Sequence, residues 1–212
     1  MQIAVFGGTG RLGGRIVAEA EQRGHECTVV VRDVTRSAPD GCGARVVRGD
    51  ATDPQSVAAI AADHEVLVSS IRPEITPSSN TVVDAAHAFL VALRAVPATR
   101  LIVVGGAGTL LDRHGVRLLD DPEFPEQFKP FAQSHADALD VYRLDKEVRW
   151  TYLSPADDLL PGERTGRYRL DADRLVYDSR GSSLISMEDL AVAVVDEAEQ
   201  PRHLRQRFTV GY

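Results

Sequence analysis

Five short runs of apolar, mostly β-branched residues punctuate the first half of the chain: QIAVF at 2–6, CTVVV at 27–31, ARVVR at 44–48, EVLVS at 65–69 and RLIVV at 100–104. Their shortness, their Val and Ile content and the turn formers around them predict strands buried on both faces of a parallel sheet. Between them lie segments with helix start and stop signals. RLGGRIVAEAEQRG ends on Gly24, DPQSVAAIAA opens with Asp53 as N-cap and Pro54 in the first helical position, and SSNTVVDAAHAFLVALRAV stops before Pro97. Strand and helix therefore alternate as βαβαβ. That order predicts an α/β fold with a doubly wound parallel sheet and right-handed crossovers, in which ligands bind beyond the carboxyl ends of the strands. The site is expected at the loops after Phe6, Val31, Val47, Val68 and Val104.

After Val104 the rhythm loosens. A long loop runs from Gly105 to Asp121, a short Pro-punctuated helix follows, and a longer helix is predicted from about Pro130 to Glu147 before a strand, RWTYLS. The segment GERTGRYRLDADRLVYDSRGS reads as a small hairpin facing the substrate, SMEDLAVAVVDEAEQ as a helix capped by Ser186, and QRFTVGY as a last strand. No linker or low-complexity tract separates these pieces, so residues 1–212 read as a single domain.

Composition narrows the class. With 43% hydrophobic and 26% charged residues, 212 residues suit one soluble domain with a sizeable core. A net charge of -7 argues against wrapping nucleic acid, which needs clustered cations. No apolar run approaches the roughly 20 residues of a membrane span, and no charged leader is visible, so a cytoplasmic protein without membrane attachment is expected. Cys27 and Cys42 form neither a disulfide framework nor a metal-ligand spacing. No metal site is expected.

The first strand runs directly into VFGGTGRLGG, giving G-x-x-G-x-x-G at Gly7, Gly10 and Gly13. Glycines between a strand and a helix permit a tight turn and close approach to a pyrophosphate, while the helix start supplies free N–H groups and a positive dipole. The end of the second strand discriminates the two nicotinamide cofactors. An acid there accepts from a ribose hydroxyl, whereas an arginine pairs with a 2'-phosphate. VVVRDVTR places Arg32 first, Asp33 next on the opposite face, and Arg36 one helical turn beyond. Arg32 favours NADP(H) over NAD(H), and Arg11 is a second candidate for a cofactor phosphate.

Taken together, GGTGRLGG, VRD, GDATD, VVGGAGTL, WTYLSPA, PGERTGRYRL and RFTVGY make the chain resemble the atypical short-chain dehydrogenase/reductases. Within that group it is similar to the small NADH-flavin reductases related to the biliverdin reductase B type. The resemblance implies a Rossmann fold, bound NADP(H), and hydride transfer to a small-molecule acceptor that is flat and conjugated, such as a flavin. Beside the contacts expected from the glycine loop and helix start, Gly7, Thr9, Gly10, Arg11 and Leu12, and from Arg32, it implies roles for Asp50 near the adenine, for Ser69, Ser70 and Ile71 along the cofactor, and for Pro155 and Ala156 near the nicotinamide. Asp50 and the serines also have a plain reading as turn and capping residues.

Catalytic side chains are harder to find. The place of the usual serine past the fifth strand reads Gly105-Gly106-Ala107-Gly108-Thr109, where only Thr109 offers a hydroxyl, and Ala156 stands where a histidine is expected in the biliverdin reductase B type. Tyr142 and Lys146 have the Y-x-x-x-K spacing of short-chain dehydrogenases. However, Phe128, Phe131, His135, Leu139 and Tyr142 recur as a buried stripe, and Tyr142 lies roughly 18 Å along a helix starting near Pro130. Lys146 reads as a cation in the last helical turn. The histidines are ambiguous, and only His114, after the fifth-strand loop, is placed where it could face substrate. The alternatives to a flavin reductase are a noncatalytic NADP(H) sensor and a reductase or isomerase of a larger natural product, as monomer or homodimer.

Overall fold

The computed structural model describes residues 1–35 and 41–212, so Arg36 lies outside the described residues. The apolar runs become β1 (Gln2–Phe6), β2 (Glu26–Val31), β3 (Arg45–Arg48) and β4 (Val66–Ser69). A two-strand hairpin follows, β5 (Ile75–Thr76) with β6 (Ser79–Asn80), and then β7 (Arg100–Val104), β8 (Trp150–Ser154), β9 (Asp158–Leu160), β10 (Arg169–Asp171), β11 (Leu184–Ser186) and β12 (Gln206–Gly211). The helices are α1 (Arg11–Gln22), α2 (Pro54–Ala61), α3 (Thr81–Ala95), α4 (Lys129–Leu144) and α5 (Met187–Glu199).

Eight strands form one sheet in the order β10-β12-β8-β7-β4-β1-β2-β3, parallel throughout except β10. From β1 the chain winds outward to β3, then crosses back to β4 on the other side of β1. The crevice between the β1 and β4 ends is thus the switch point where this class of sheet binds ligands.

Alternation along the strands divides the core into two layers. Ile3, Val5, Val29 and Val68 pack with Ile16 and Val17 of α1 and Leu190 and Val194 of α5. On the other face Ala4, Phe6, Leu67 and Leu101 pack with α2, α3 and α4 through Val57, Phe89 and Leu139. Charges fasten α1 to α5: Arg23 reaches Glu19, Asp196 and Glu199, and Arg15 pairs with Glu188 at 2.6 Å. The Glu19 carboxyl is held below its ordinary pKa, first by the Arg164 guanidinium and then by Arg23 against the opposing cost of burial.

Three expectations need correction. First, α3 begins at Thr81, because residues 75–80 form the β5–β6 hairpin. Second, α4 stops at Leu144, where Asp145 takes N–H groups of Glu147 and Val148 and turns the chain into β8. Third, residues 162–182 do not pair with themselves. β10 joins β12 antiparallel at the sheet edge, Arg164 is drawn to Glu19, and the Tyr168 hydroxyl donates to Asp196. The second arm pairs instead with Leu111, which bridges Arg174 and accepts from the Leu175 N–H.

Candidate functional site

The loop leaving β1 shows why glycine is required there. Gly7 adopts φ 83°, in the left-handed region, and a methyl group on it would fall 2.5 Å from the Ser70 carbonyl oxygen. A methyl on Gly13 would fall 2.1 Å from the Gly7 carbonyl oxygen. The loop therefore lies flat against both the β4 end and the first turn of α1. Asp53 caps α2 and Ser186 caps α5 through their side chains, whereas the α1 N-cap is Gly10, with no capping side chain and no acid in the first turn. The N–H groups and positive end of α1 are left for an anion. This donor set fits the pyrophosphate of a dinucleotide, with Gly7, Thr9, Gly10, Arg11 and Leu12 all in this loop and helix start.

Arg32 is the first residue past β2 and is exposed. Its Nη2 lies 3.4 Å from each carboxylate oxygen of Glu74, in the loop after β4. Asp33 accepts from the Thr35 N–H at 3.0 Å. Asp50, after β3, accepts from both the N–H and hydroxyl of Thr52 through one oxygen, the local turn foreseen as its plain reading. Ser69 is buried, Ser70 and Ile71 are half-buried, and Ser70 donates its N–H to Phe6 beside Gly7. Pro155 and Ala156 are buried at the β8 end, with Ala156 part of the α1/α5 core.

Past β7 the backbone leaves no room for a side chain at Gly105 and little at Gly106. A side chain at Gly105 would collide with the Tyr152 ring, 2.0 Å away, and one at Gly106 would stand 3.1 Å from Cδ2 of His135. The Tyr152 hydroxyl donates to the His135 carbonyl at 3.0 Å, which fixes ring and helix together. His135, Tyr152, Tyr142, Ser69 and Ile71 belong to the walls of a narrow cavity with ≈ 10 Å³ open to a water-sized sphere. Burial lowers the His135 pKa to about 4, so the ring is neutral near pH 7. From the sequence His135 belongs to a buried stripe, and His114 is the one histidine that could face substrate. The structure puts His114 in an exposed turn where its N–H serves Asp112, and leaves Phe128 and Phe131 exposed at the start of α4. One signal was available: a helix that precedes a parallel strand begins at the ligand edge, so its first two turns are the ones that face it.

Tyr142 is 2% exposed and packs its ring against Trp150 and Tyr152, at 5.9 Å and 6.0 Å between centroids. Helical side chains point back toward the N-terminus, so its ring reaches the cavity although its backbone is near the helix end. Burial raises its pKa well above the ordinary phenol value, which disfavours an ionised form. Lys146 lies beyond the helix and donates to the Arg143 carbonyl at 2.8 Å. The Y-x-x-x-K spelling thus joins a core tyrosine to an exposed lysine. Thr109 accepts from Arg207, itself bound to Asp173, so its hydroxyl is engaged in holding the loop. A broader concavity of ≈ 930 Å³, lined by Gln2, Glu26, Asp63 and Glu65 among others, opens at the other edge of the sheet, at the strand starts.

A parallel sheet with a glycine turn at its switch point and an uncapped helix start defines a dinucleotide-binding protein, of the atypical short-chain dehydrogenase/reductase type. Residues 7–201 match the model of the NAD(P)H-binding family, and the chain belongs to it. Among solved structures, one from Burkholderia pseudomallei, described as a "putative exported protein", is 42% identical at a TM-score of 0.89, with both chains covered in full. One from Bacteroides thetaiotaomicron, described as a "putative epimerase", is 33% identical at 0.89, covering 100% of this chain and 96% of that one. A third, from Streptococcus pneumoniae and described as a "putative NADH-flavin reductase", is 34% identical at 0.84, covering 100% and 99%. Among the described residues, no helix is long and apolar enough to cross a membrane.

Proposed function

We propose that the protein is an NADP(H)-preferring oxidoreductase that passes hydride to a flavin or another flat, conjugated small molecule. The observation that carries this reading is the wall past β7. Gly105 and Gly106 lie against the rings of Tyr152 and His135, and no serine stands where an alcohol dehydrogenase would meet a developing alkoxide. A flat acceptor needs stacking and positioning more than a charged partner, and its reduced ring can take a proton from water. NADPH, when bound, supplies the hydride.

The chain's own residues hold and orient. The glycine loop and α1 start receive the phosphates, Arg32 meets the 2'-phosphate, Asp50 lies near the adenine, Ser69 to Ile71 run along the cofactor, and Pro155 and Ala156 lie near the nicotinamide. Thr109 accepts from Arg207 and keeps its own O–H to donate, so it is the weak candidate for a catalytic side chain. The free thiols Cys27 and Cys42 fit a reducing compartment, and we place the protein in the cytoplasm. The Streptococcus pneumoniae relative supports the flavin reading.

Purified protein is expected to oxidise NADPH faster when riboflavin or FMN is added, followed by the loss of NADPH absorbance. No acceleration with any flavin or quinone overturns the reading. A second reading, an isomerase or reductase of a larger natural product, is favoured by the Bacteroides thetaiotaomicron relative. As an isomerase it predicts turnover with tightly held nucleotide and no net NADPH consumption; as a reductase it predicts NADPH consumption with that larger substrate and none with free flavin.

A further inference from the structure

We infer that Glu74 tempers the coenzyme preference of this protein by competing with a 2'-phosphate for Arg32. The inference rests on the reading of Arg32 as the residue that meets the adenosine ribose. Arg32 follows β2 and Glu74 follows β4, and these strands flank β1 on opposite sides. Their ion pair therefore links the two loops on either side of the glycine turn.

The pair is loosely made. Arg32 Nη2 stands 3.4 Å from both carboxylate oxygens of Glu74, longer than the usual charge-assisted hydrogen bond. The side chains remain 66% and 63% exposed, so the fold does not depend on them. A contact of this kind is readily exchanged for a better one. A 2'-phosphate offers the guanidinium several oxygens in a geometry that matches its planar fork. It would, however, enter beside the Glu74 carboxylate and be repelled by it.

A plain ribose brings no such conflict. Glu74 keeps Arg32, and its carboxylate, reaching across from the loop after β4, can accept from the 2'-hydroxyl in the way that an acid at the β2 end does in other sheets of this class. Asp33, the other acid nearby, is turned into its own backbone by accepting from Thr35. Glu74 is thus a specificity-determining residue that weakens the preference Arg32 creates.

Calorimetric titration of NADP+ and NAD+ into the native protein, Glu74→Gln and Arg32→Ala tests this without turnover. Glu74→Gln is expected to tighten NADP+ about three- to fivefold, as suits an exposed charge pair, with NAD+ unchanged or weaker. The gain should shrink as salt is raised from about 0.05 to about 0.5 M. An unchanged ratio of the two affinities in Glu74→Gln, with Arg32→Ala weakening NADP+ about tenfold or more, overturns the role of Glu74 and leaves that of Arg32 standing. If Arg32→Ala affects both nucleotides alike, the assignment of Arg32 falls, and the inference with it.

Discussion

A methyl group at Gly13 would fall 2.1 Å from the Gly7 carbonyl oxygen, far inside van der Waals contact, and the atom it meets is backbone that cannot rotate away. Gly13→Ala is therefore expected to push the glycine loop off the α1 start, costing about 1–3 kcal/mol of stability and more than about tenfold in NAD(P)H affinity. Thermal melting and nucleotide titration check it; full affinity in the variant would mean that the loop has room to adjust. At this scale the sequence was legible where chemistry is local. The glycine spacing, the Asp53 and Ser186 caps and the Asp50 turn all depend on neighbours a few residues away. Glu74 was not legible, because its partner Arg32 is 42 positions distant and only the order of strands brings them together. Nor was the competition for Thr109, whose hydroxyl meets an arginine from the last strand.

Helix α4 shows what periodicity can and cannot say. Its three-and-four spacing identified a helix with Leu139 and Tyr142 in the core, and both are buried. The same spacing wrongly extended the stripe to Phe128 and Phe131, since periodicity selects a face and does not say where the covering layer ends. It also carried the helix past Leu144, where Asp145 offers the backbone a turn in place of another helical bond. Because Tyr142 fills space between Trp150 and Tyr152, Tyr142→Phe is expected to leave steady-state NADPH oxidation within about twofold of native. A loss on the order of a hundredfold, the size expected on removing a proton donor, would return the Y-x-x-x-K pair to the active site.

For the molecule as a whole, alternation of strands and helices was enough to predict the doubly wound sheet, since every crossover is local and has one favoured hand. Antiparallel β10 escaped because three residues carry too little pattern to name a partner about forty positions away. Global stability should depend on pH through His135. Burial holds its folded pKa at about 4, below the ordinary 6.5, so the unfolded chain binds the extra proton first as pH falls. The stabilising contribution is present above about pH 6.5 and is lost as pH falls toward 4. Denaturant unfolding at pH 7 and pH 5 should show that decline, reduced in His135→Gln; an identical decline in the variant would assign it to other groups.

The loop after β7 is also not free to evolve by itself. Leu111 bridges to Arg117 and to Arg174, it exchanges backbone hydrogen bonds with Asp173 and Leu175, and Arg113 lies 4.3 Å over the Tyr177 ring. The surface beside the proposed acceptor is thus woven from two stretches some sixty residues apart. Grafting either stretch alone from a relative would leave a strand edge without its mate. A change of acceptor by loop exchange has to move residues 105–121 and 171–182 as one cassette.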